Sequence, residues 1–588
     1  MQFVRKLAAK SAKLIVKLAP QKWVDNLKQN PKLVAAYSNN LHKSGLMYQL
    51  QTIEELKLSY ADYLQYQNTL VTELLNSNTT VKCTTSLVVC VVNFEPNNLL
   101  VTLSSIKAQY IAFSNIVFLC NNNNKVQLND FLNLHLDLPF LLSDNIENEL
   151  SDTDLANKPC FVIYAGDALE RYAAFILTTK IKPTTQLAYV DTDTLNSKGE
   201  RGFPDFKPNW NPDLQLTAGY VSSGLWVNSF NCFSEHSGPV DLFSVSIYLC
   251  KYHLRKLGSG VEHVPLILLS RPEKLPYFSE AKEQLKLIYN DYAKIVDSNL
   301  PTLSLRWNIE HEPLVSIIIP TRNGMDLVKD CIESILNKTT YTNYEILLID
   351  NGSDDADCIN YFNKLNKHDK ITVLTYNEPF NYSAINNFGA KHAKGEVLAL
   401  VNNDIEVISP DWLLNMVSHV MRSDIGCVGA KLLYGDNRIQ HAGVVMGYGG
   451  GAGHGHKYFP GDHYGYMNRL IASQNYSAVT AACLLITTDD FWAVNGLNEE
   501  KLAVAFNDVD LCLKVQQLGR RNLYCAEAVL YHHESVSRGY ENTPEKVLRF
   551  KSELTYLQTT WREVICADPA YNPNLTLKRE NFSIKSFR

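Results

Sequence analysis

From residue 86 onward the hydrophobic positions fall into short, nearly continuous apolar runs separated by amphipathic stretches. SLVVCVVNF (86–94), NIVFLC (115–120) and VIYAGD (162–167) read as strands buried on both faces. The alternation resumes further on: LVSIIIP (314–320) is a strand, MDLVKDCIESILNK (325–338) a helix and YEILLID (344–350) a strand. Strands alternating with helices predict an α/β fold built on a parallel sheet. Residues 1–80 carry no strand run and read as helical, with candidate helices at 2–18, 20–37 and 51–76.

The two α/β stretches are related. Ser86 and Ser316, Asn93 and Asn323, Ser104 and Ser334, Ile116 and Ile346, and Asn121 and Asn351 are each 230 positions apart. A constant offset that lays strands on strands points to an internal duplication. VIYAGD then pairs with ALVNND (399–404) at an offset of 237, and VDLF (240–243) with VDLC (509–512) at 269. The predicted organisation is a helical region 1–80, a first α/β domain 81–271, a connector 272–312 with Pro272, Pro276, Pro301 and a helical middle, and a second α/β domain 313–588 with a C-terminal extension.

Composition narrows the classes. The 588 residues are 46% hydrophobic and 20% charged, which is material for packed cores and excludes a disordered chain. With 55 basic against 61 acidic residues the net charge is −6, so no chain-wide nucleic-acid surface is expected. The 13 cysteines include no CxxC pair and read as buried free thiols in a reducing compartment. No run of 18 uncharged apolar residues suggests a transmembrane helix. Lys6, Lys10, Lys13 and Lys17 share one helical stripe, with Phe3, Val4, Leu7, Leu14, Ile15 and Leu18 on another side. A basic amphipathic helix of this kind reads as an anchor on an anionic membrane surface, or as a helix packed on its own protein. Charges interrupt its apolar part and no cleavage site follows, so it does not read as a signal peptide.

Candidate chemistry gathers where strands of the second half end. The first ends in Pro320-Thr321-Arg322-Asn323, the second in Asp350-Asn351-Gly352-Ser353-Asp354. Ligands of open α/β sheets bind at the carboxyl ends of strands, so Asp350 is placed to accept a base N–H, unless it caps its own turn. In EVLALVNNDIEV (396–407) an apolar strand runs into Asn402-Asn403-Asp404, a setting suited to a hard divalent cation on a diphosphate. FNDVDLCLKVQQLG (506–519) starts a helix with Asn507 as N-cap. Asp508 then lies in the first turn, where the helix dipole favours the ionised form a general base needs. AVLYHHESVSRG (528–539) ends in His532-His533, which could complete a metal shell or be a surface pair, and Arg538 could fork onto phosphate oxygens. YGGGAGHGH (448–456) lacks the Lys-Ser/Thr of a P-loop and reads as a mobile loop over a site.

Residues 313–540 resemble family 2 glycosyltransferases of the GT-A fold, and most closely the rhamnosyltransferase-like enzymes of bacterial O-antigen and capsule synthesis. The segments that carry the resemblance are VSIIIPTRN, LLIDNGS, FNYSAINNFGA, LVNNDIEVISPDWL, IQHAGVVMG, SAVTAACLL, LAVAFNDVDLCLKV, LYHHESVSRG and the tail DPAYNPNLTL (568–577). The resemblance implies tandem GT-A-like domains and an inverting mechanism. It places Thr321, Asn323 and Asp350 on the nucleotide, with Pro320, Asn387, Asn402, Asn403 and Arg538 among the donor contacts. Asp404 takes the metal position of the DXD-type motif, although that motif begins with Asn402 here. Asp508 matches the catalytic base. His532 matches the metal-ligand histidine better than His533. Asn495-Gly496 stands where the family has Gly-Gly. The implied cofactor is Mn²⁺ or Mg²⁺, the donor dTDP-L-rhamnose or else a UDP-sugar, and the acceptor a lipid-linked or polymeric bacterial glycan. Such an enzyme would sit on the cytoplasmic face of the inner membrane.

The first half lacks the matching residues, although DTDTLNSKGERGFPDFKPNW (191–210) resembles a segment of the tandem members. Cys120 stands for Asp350, Pro239 for Asp508, and PLILLSR (265–271) has no histidine; only Asp167 survives. Asp191 and Asp193 form a D-x-D on another strand. The expectation is a degenerate first domain that holds glycan or packs on its partner. Two other readings are a glycan-binding scaffold with both halves inactive, and a nucleotidyltransferase of similar fold. PTRNGMD (320–326) has a single Gly after the first strand, which disfavours the latter.

Overall fold

Val-, Ile- and Leu-rich runs build two large sheets whose strands follow one another in the same spatial order. The computed structural model describes residues 11–12, 52–77, 81–144, 157–196, 198–229, 244–254, 260–272, 281–296, 299–533 and 543–587. In the first sheet the order is Leu141–Ser143, Ile116–Cys120, Ser86–Val91, Cys160–Tyr164, Leu225–Val227, Leu187–Leu195, Val261–Pro272 and Ala168–Leu169. In the second it is Ile371–Thr375, Tyr344–Asp350, Val315–Thr321, Val397–Val401, Cys483–Thr487, Ile425–Leu433, Arg521–His532 and Ile405–Val407. In each sheet the first four strands run parallel and the fifth is antiparallel to the fourth. The register repeats as well: Thr321 pairs with Asp350 as Val91 pairs with Cys120, the positions 230 residues earlier. The chain is thus a mixed α/β protein with tandem domains of one topology.

The helix expected at 325–338 is Met325–Lys338, and its apolar stripe (Val328, Cys331, Ile332, Ile335) packs against the second sheet. The expected helix 51–76 is Ile53–Ser77. Candidate helices 2–18 and 20–37 lie outside the described residues apart from 11–12, and with them the basic amphipathic stripe. Among the described residues, no helix is long and apolar enough to cross a membrane. The connector holds a helix, Ala281–Tyr289, and an antiparallel pair, Ala293–Val296 with Ser304–Trp307. Eleven of the twelve described cysteines are buried free thiols; Cys566 is exposed.

The halves share buried polar contacts. Asn211 donates to Asn475 O (2.8 Å) and accepts from the Asn475 N–H (3.0 Å), and Thr217 donates to Ser473 O (2.9 Å). The C-terminal tail acts as a staple. Asp568 accepts from the Met446 N–H (2.6 Å) and the Ser477 hydroxyl (2.5 Å) of the second half. Four residues on, Asn572 donates to Asp191 (2.9 Å) and Lys207 O (2.8 Å) of the first.

The glycine-rich segment 448–456 corrects the loop expectation. It forms the turn and second strand of a hairpin, Val444–Met446 with Ala452–His454, that packs against the C-terminal extension while Gly449 and Gly450 stay exposed. Glycine is needed because other chain segments pass too close for a side chain: a Cβ on Gly447 would lie 2.8 Å from Ile565 O, and one on Gly451 2.7 Å from Leu554. At Gly443, φ is +94° and a Cβ would lie 2.2 Å from the Tyr476 ring. Gly443→Ala is therefore expected to cost roughly 1–3 kcal/mol, read as a lower urea midpoint at unchanged m-value.

Candidate active site

The expected residues of the second half converge at the carboxyl ends of its strands. Asp404 follows Val397–Val401 and is buried. His532 pairs with Ile405 in the adjacent strand, so its imidazole Nε2 lies 3.2 Å from Asp404 Oδ1. Asn402 joins them: its Oδ1 accepts from the Tyr382 hydroxyl (3.1 Å) and its Nδ2 faces His532 Nε2 at 3.2 Å. Tyr382 has one hydroxyl proton, shared between Asn402 and the Ala481 carbonyl, and the buried Nδ1 of His532 has no hydrogen-bond partner. An imidazole nitrogen and a carboxylate oxygen held this close fit a divalent cation. His533 faces the other way, as the next residue of a strand must. Its Nε2 lies 3.2 Å from Glu406, and its ring stacks on Tyr531.

Asp508 stands on the first turn of the helix Asn507–Gln517. The N-cap is Phe506, held at φ +60°, and not Asn507, whose amide instead donates back to Val504 O (3.1 Å). Asp508 Oδ2 accepts from the Ala481 N–H at 3.0 Å. The expectation of a carboxyl favoured as the anion by the helix dipole also changes. Burial pushes Asp508 above the usual carboxylate range, against hydrogen bonds from the Ala481 N–H, Thr480 and the Val509 N–H that pull it down. Ala481 links base to metal cradle: its carbonyl accepts from Tyr382 (3.1 Å), the tyrosine that also holds Asn402. His441 fixes the same segment by accepting from the Thr480 N–H (3.3 Å).

The other expected residues are placed as follows. Asp350 Oδ1 accepts from both the N–H (2.9 Å) and hydroxyl (2.6 Å) of Ser353, the turn-capping arrangement. Asn323 is engaged within the chain, its amide bonded to Asp354 and the Asp355 N–H, so it ties two strand-end loops together. Thr321 accepts from Asn403 (3.0 Å), and Pro320 precedes it in the strand. Asn387 is buried, bonding the Leu497 backbone and Glu499, and braces the segment before the base helix. In that segment Asn495 adopts φ +61° and Gly496 φ +62°, a left-handed pair that Asn supports where the family has Gly. Arg538 lies outside the described residues. Tyr382 and Ala481 received no role from sequence. Both sit inside matching segments, FNYSAINNFGA and SAVTAACLL, but a backbone N–H carries no residue-type signal.

In the first half the corresponding places are filled differently. Ser270 pairs with Ala168 where His532 pairs with Ile405. Asp167 is buried, bonded to Ser223 (2.5 Å), with the Arg271 guanidinium 3.9 Å away in place of any metal. Asp191 and Asp193 are both fully buried. Asp191 meets His263 (2.8 Å) and the Lys207 N–H (2.9 Å), and Asp193 meets Arg201 (2.6 Å). Burial brings Lys207 down to about 8. The counterpart of Asp508, Pro239, lies outside the described residues.

Residues 316–472 match the family model Glycosyl transferase family 2. Protein y4gI of Sinorhizobium fredii is 43% identical over 427 residues, 69% of this chain and 47% of that protein. The O-antigen biosynthesis protein RfbC of Myxococcus xanthus is 32% identical over 414 residues, 67% of this chain and 32% of that protein. The chain therefore spans about half the length of the first relative and about a third of the second. A mannosyltransferase of Pyrobaculum calidifontis, solved with GDP-Man and Mn²⁺, superposes with a TM-score of 0.33 at 17% identity, over 45% of this chain and 68% of that one. Residues 316–472 of this chain thus carry a Glycosyl transferase family 2 domain.

Proposed function

We propose that the second half transfers a sugar, with inversion, from a nucleotide-sugar donor to a hydroxyl of a growing bacterial surface glycan. The observation that carries this reading is the continuous set of contacts from Asp508 through Ala481, Tyr382 and Asn402 to His532 and Asp404. It supports a base and a metal cradle on one strand-end surface, the pairing that glycosyl transfer needs. Asp508 takes the proton of the acceptor hydroxyl as that oxygen attacks the anomeric carbon, while the nucleoside diphosphate leaves from the opposite face. Asp404 and His532 would hold a divalent cation, Mn²⁺ or Mg²⁺, which supplies charge neutralisation to the leaving diphosphate. Asp350 keeps one oxygen on its turn and offers the other to the base. The proposed donor is dTDP-L-rhamnose, otherwise a UDP-sugar. The likeness to RfbC supports an O-antigen type of acceptor.

In this reading the first half transfers nothing: its surviving acid faces Arg271, and its D-x-D is taken up by internal contacts. The test is transfer by the full chain on a panel of nucleotide sugars with Mn²⁺ or Mg²⁺. One donor is expected to turn over, and chelator is expected to abolish turnover. Turnover of no donor, with no melting shift from any nucleotide and metal, would instead favour a glycan-binding scaffold. Two variants separate the histidines. His532→Ala is expected to raise the half-saturating metal concentration at least about 10-fold, and His533→Ala to leave it unchanged.

A further inference from the structure

We propose that His419, Cys525 and Glu527 form a second metal site, structural in role, for a late first-row divalent ion, with zinc the expected occupant. One ligand atom from each side chain lies within 4.8 Å of the other two. His419 belongs to the helix Trp412–Val420, while Cys525 and Glu527 belong to the strand Arg521–His532. Both His419 and Cys525 are buried, and His419 Nδ1 is buried with no hydrogen-bond partner. An imidazole nitrogen closed off from water with nothing to bond is costly unless another group completes it.

The local backbone is shaped for this cluster. Ala430 pairs with Cys525 but the next residue, Lys431, pairs with Val529, so residues 526–528 bulge out of the ladder. That bulge re-aims Glu527 to the side of Cys525. One carboxylate oxygen then accepts from the Ser304 hydroxyl (2.8 Å), the other from Ser473 and from the Cys525 thiol (3.6 Å). The oxygen bonded to Ser304 keeps a further lone pair, and the other regains one when the Cys525 thiol gives up its proton to a metal. Thiolate, carboxylate and neutral imidazole together carry two negative charges, the donor set of zinc sites and a poor one for Mg²⁺ or Mn²⁺. Three protein ligands leave one tetrahedral position for water.

This site is separate from the strand-end cradle. His532 is seven residues further along the same strand, and because Cys525 to Tyr531 spans only Ala430 to Leu433 of the neighbouring strand, it lies roughly 13 Å away along the sheet. What the metal would join is architectural. Ser304 lies in the connector, and Ser473, through its carbonyl, accepts from Thr217 of the first half.

The test uses full-length protein produced in minimal medium supplemented with Co²⁺, so that metal enters during folding. One cobalt per chain with a near-ultraviolet thiolate-to-cobalt absorption band is expected, and one zinc per chain when zinc replaces cobalt in the medium. The band is expected to vanish in Cys525→Ser. It is expected to persist in Asp404→Asn, which removes the proposed catalytic ligand, and in Cys566→Ser, whose exposed thiol lies outside the cluster. Wild type without the band, or a band that survives Cys525→Ser, overturns the proposal. Should Cys525→Ser fail to fold, Glu527→Gln keeps the thiol and is expected to weaken metal binding at least 10-fold. Unchanged binding there overturns the three-residue site.

Discussion

Asp508→Asn is expected to lower kcat by about 10²–10⁴-fold, the usual worth of a positioned general base, while nucleotide plus metal still raises the melting temperature as in wild type. Loss of transfer with retained binding separates the base from the cradle formed by Asp404 and His532. A variant that keeps more than a tenth of wild-type turnover would remove Asp508 from the mechanism. The pH dependence follows from the direction of its shift. Burial raises the Asp508 pKa, and only the ionised form accepts the acceptor's proton, so the acidic limb of kcat/KM is expected above the ordinary carboxylate range of about 3.9. The same shift has a stability sign. Below its unfolded pKa the group is protonated in both states and contributes nothing; above it, holding the anion in the fold is unfavourable. Asp508→Asn should therefore melt at or above the wild-type temperature at pH 7, with the gain shrinking as the pH falls toward 4. An inactive but stabilised variant is the signature of a group kept for chemistry at a cost to the fold.

How much of this was legible in the sequence depended on the range of the interaction concerned. A strand buried on both faces must be apolar along its length, so Val315–Thr321 and Tyr344–Asp350 stood out, as did their counterparts 230 residues earlier. Asp404, Asp508 and His532 were visible because side-chain chemistry marks them. Their connections were not: Ala481 acts through backbone atoms, and Tyr382 reads locally as one more buried aromatic on its helix. The hairpin at 444–454 was misread because its glycines answer to Ile565 and Leu554, a hundred or so residues away. Nothing near 448–456 announces that contact. The helix start was misplaced by one residue for a different reason. Asn is a strong capping type, whereas Phe506 is held left-handed while its ring packs against Phe550. The D-x-D of the first half could not be read from sequence because its partners, Arg201, the Lys207 N–H and His263, close around it only in three dimensions.

The first half also bears on the stability of the second, and Asp213→Ala is expected to cost about 3 kcal/mol for that reason. Asp213 opens the helix Pro212–Ala218 and is buried. Its carboxylate meets Arg422 of the second half at 2.6 Å and Arg521 at 3.4 Å. The Arg422 side chain is only 9% exposed and lies over the connector's Trp307 ring at 4.3 Å, so one guanidinium joins both halves and the connector. Removing Asp213 leaves that cation buried with Asp424 as its remaining acid (3.2 Å), which places the effect at the lower end for a broken buried pair. Burial also shields the pair from solvent ions, so the loss should hardly change between low and high salt, unlike that of a surface bridge. The measurement is urea unfolding followed by tryptophan fluorescence. A single transition shifted to lower urea means that the halves unfold together and that the degenerate domain is part of the catalytic domain's fold. Two transitions, with the later one unmoved, would make it a separate module. Because Asp213 touches no residue of the strand-end site, turnover per folded molecule should stay at the wild-type value under conditions where the variant remains folded.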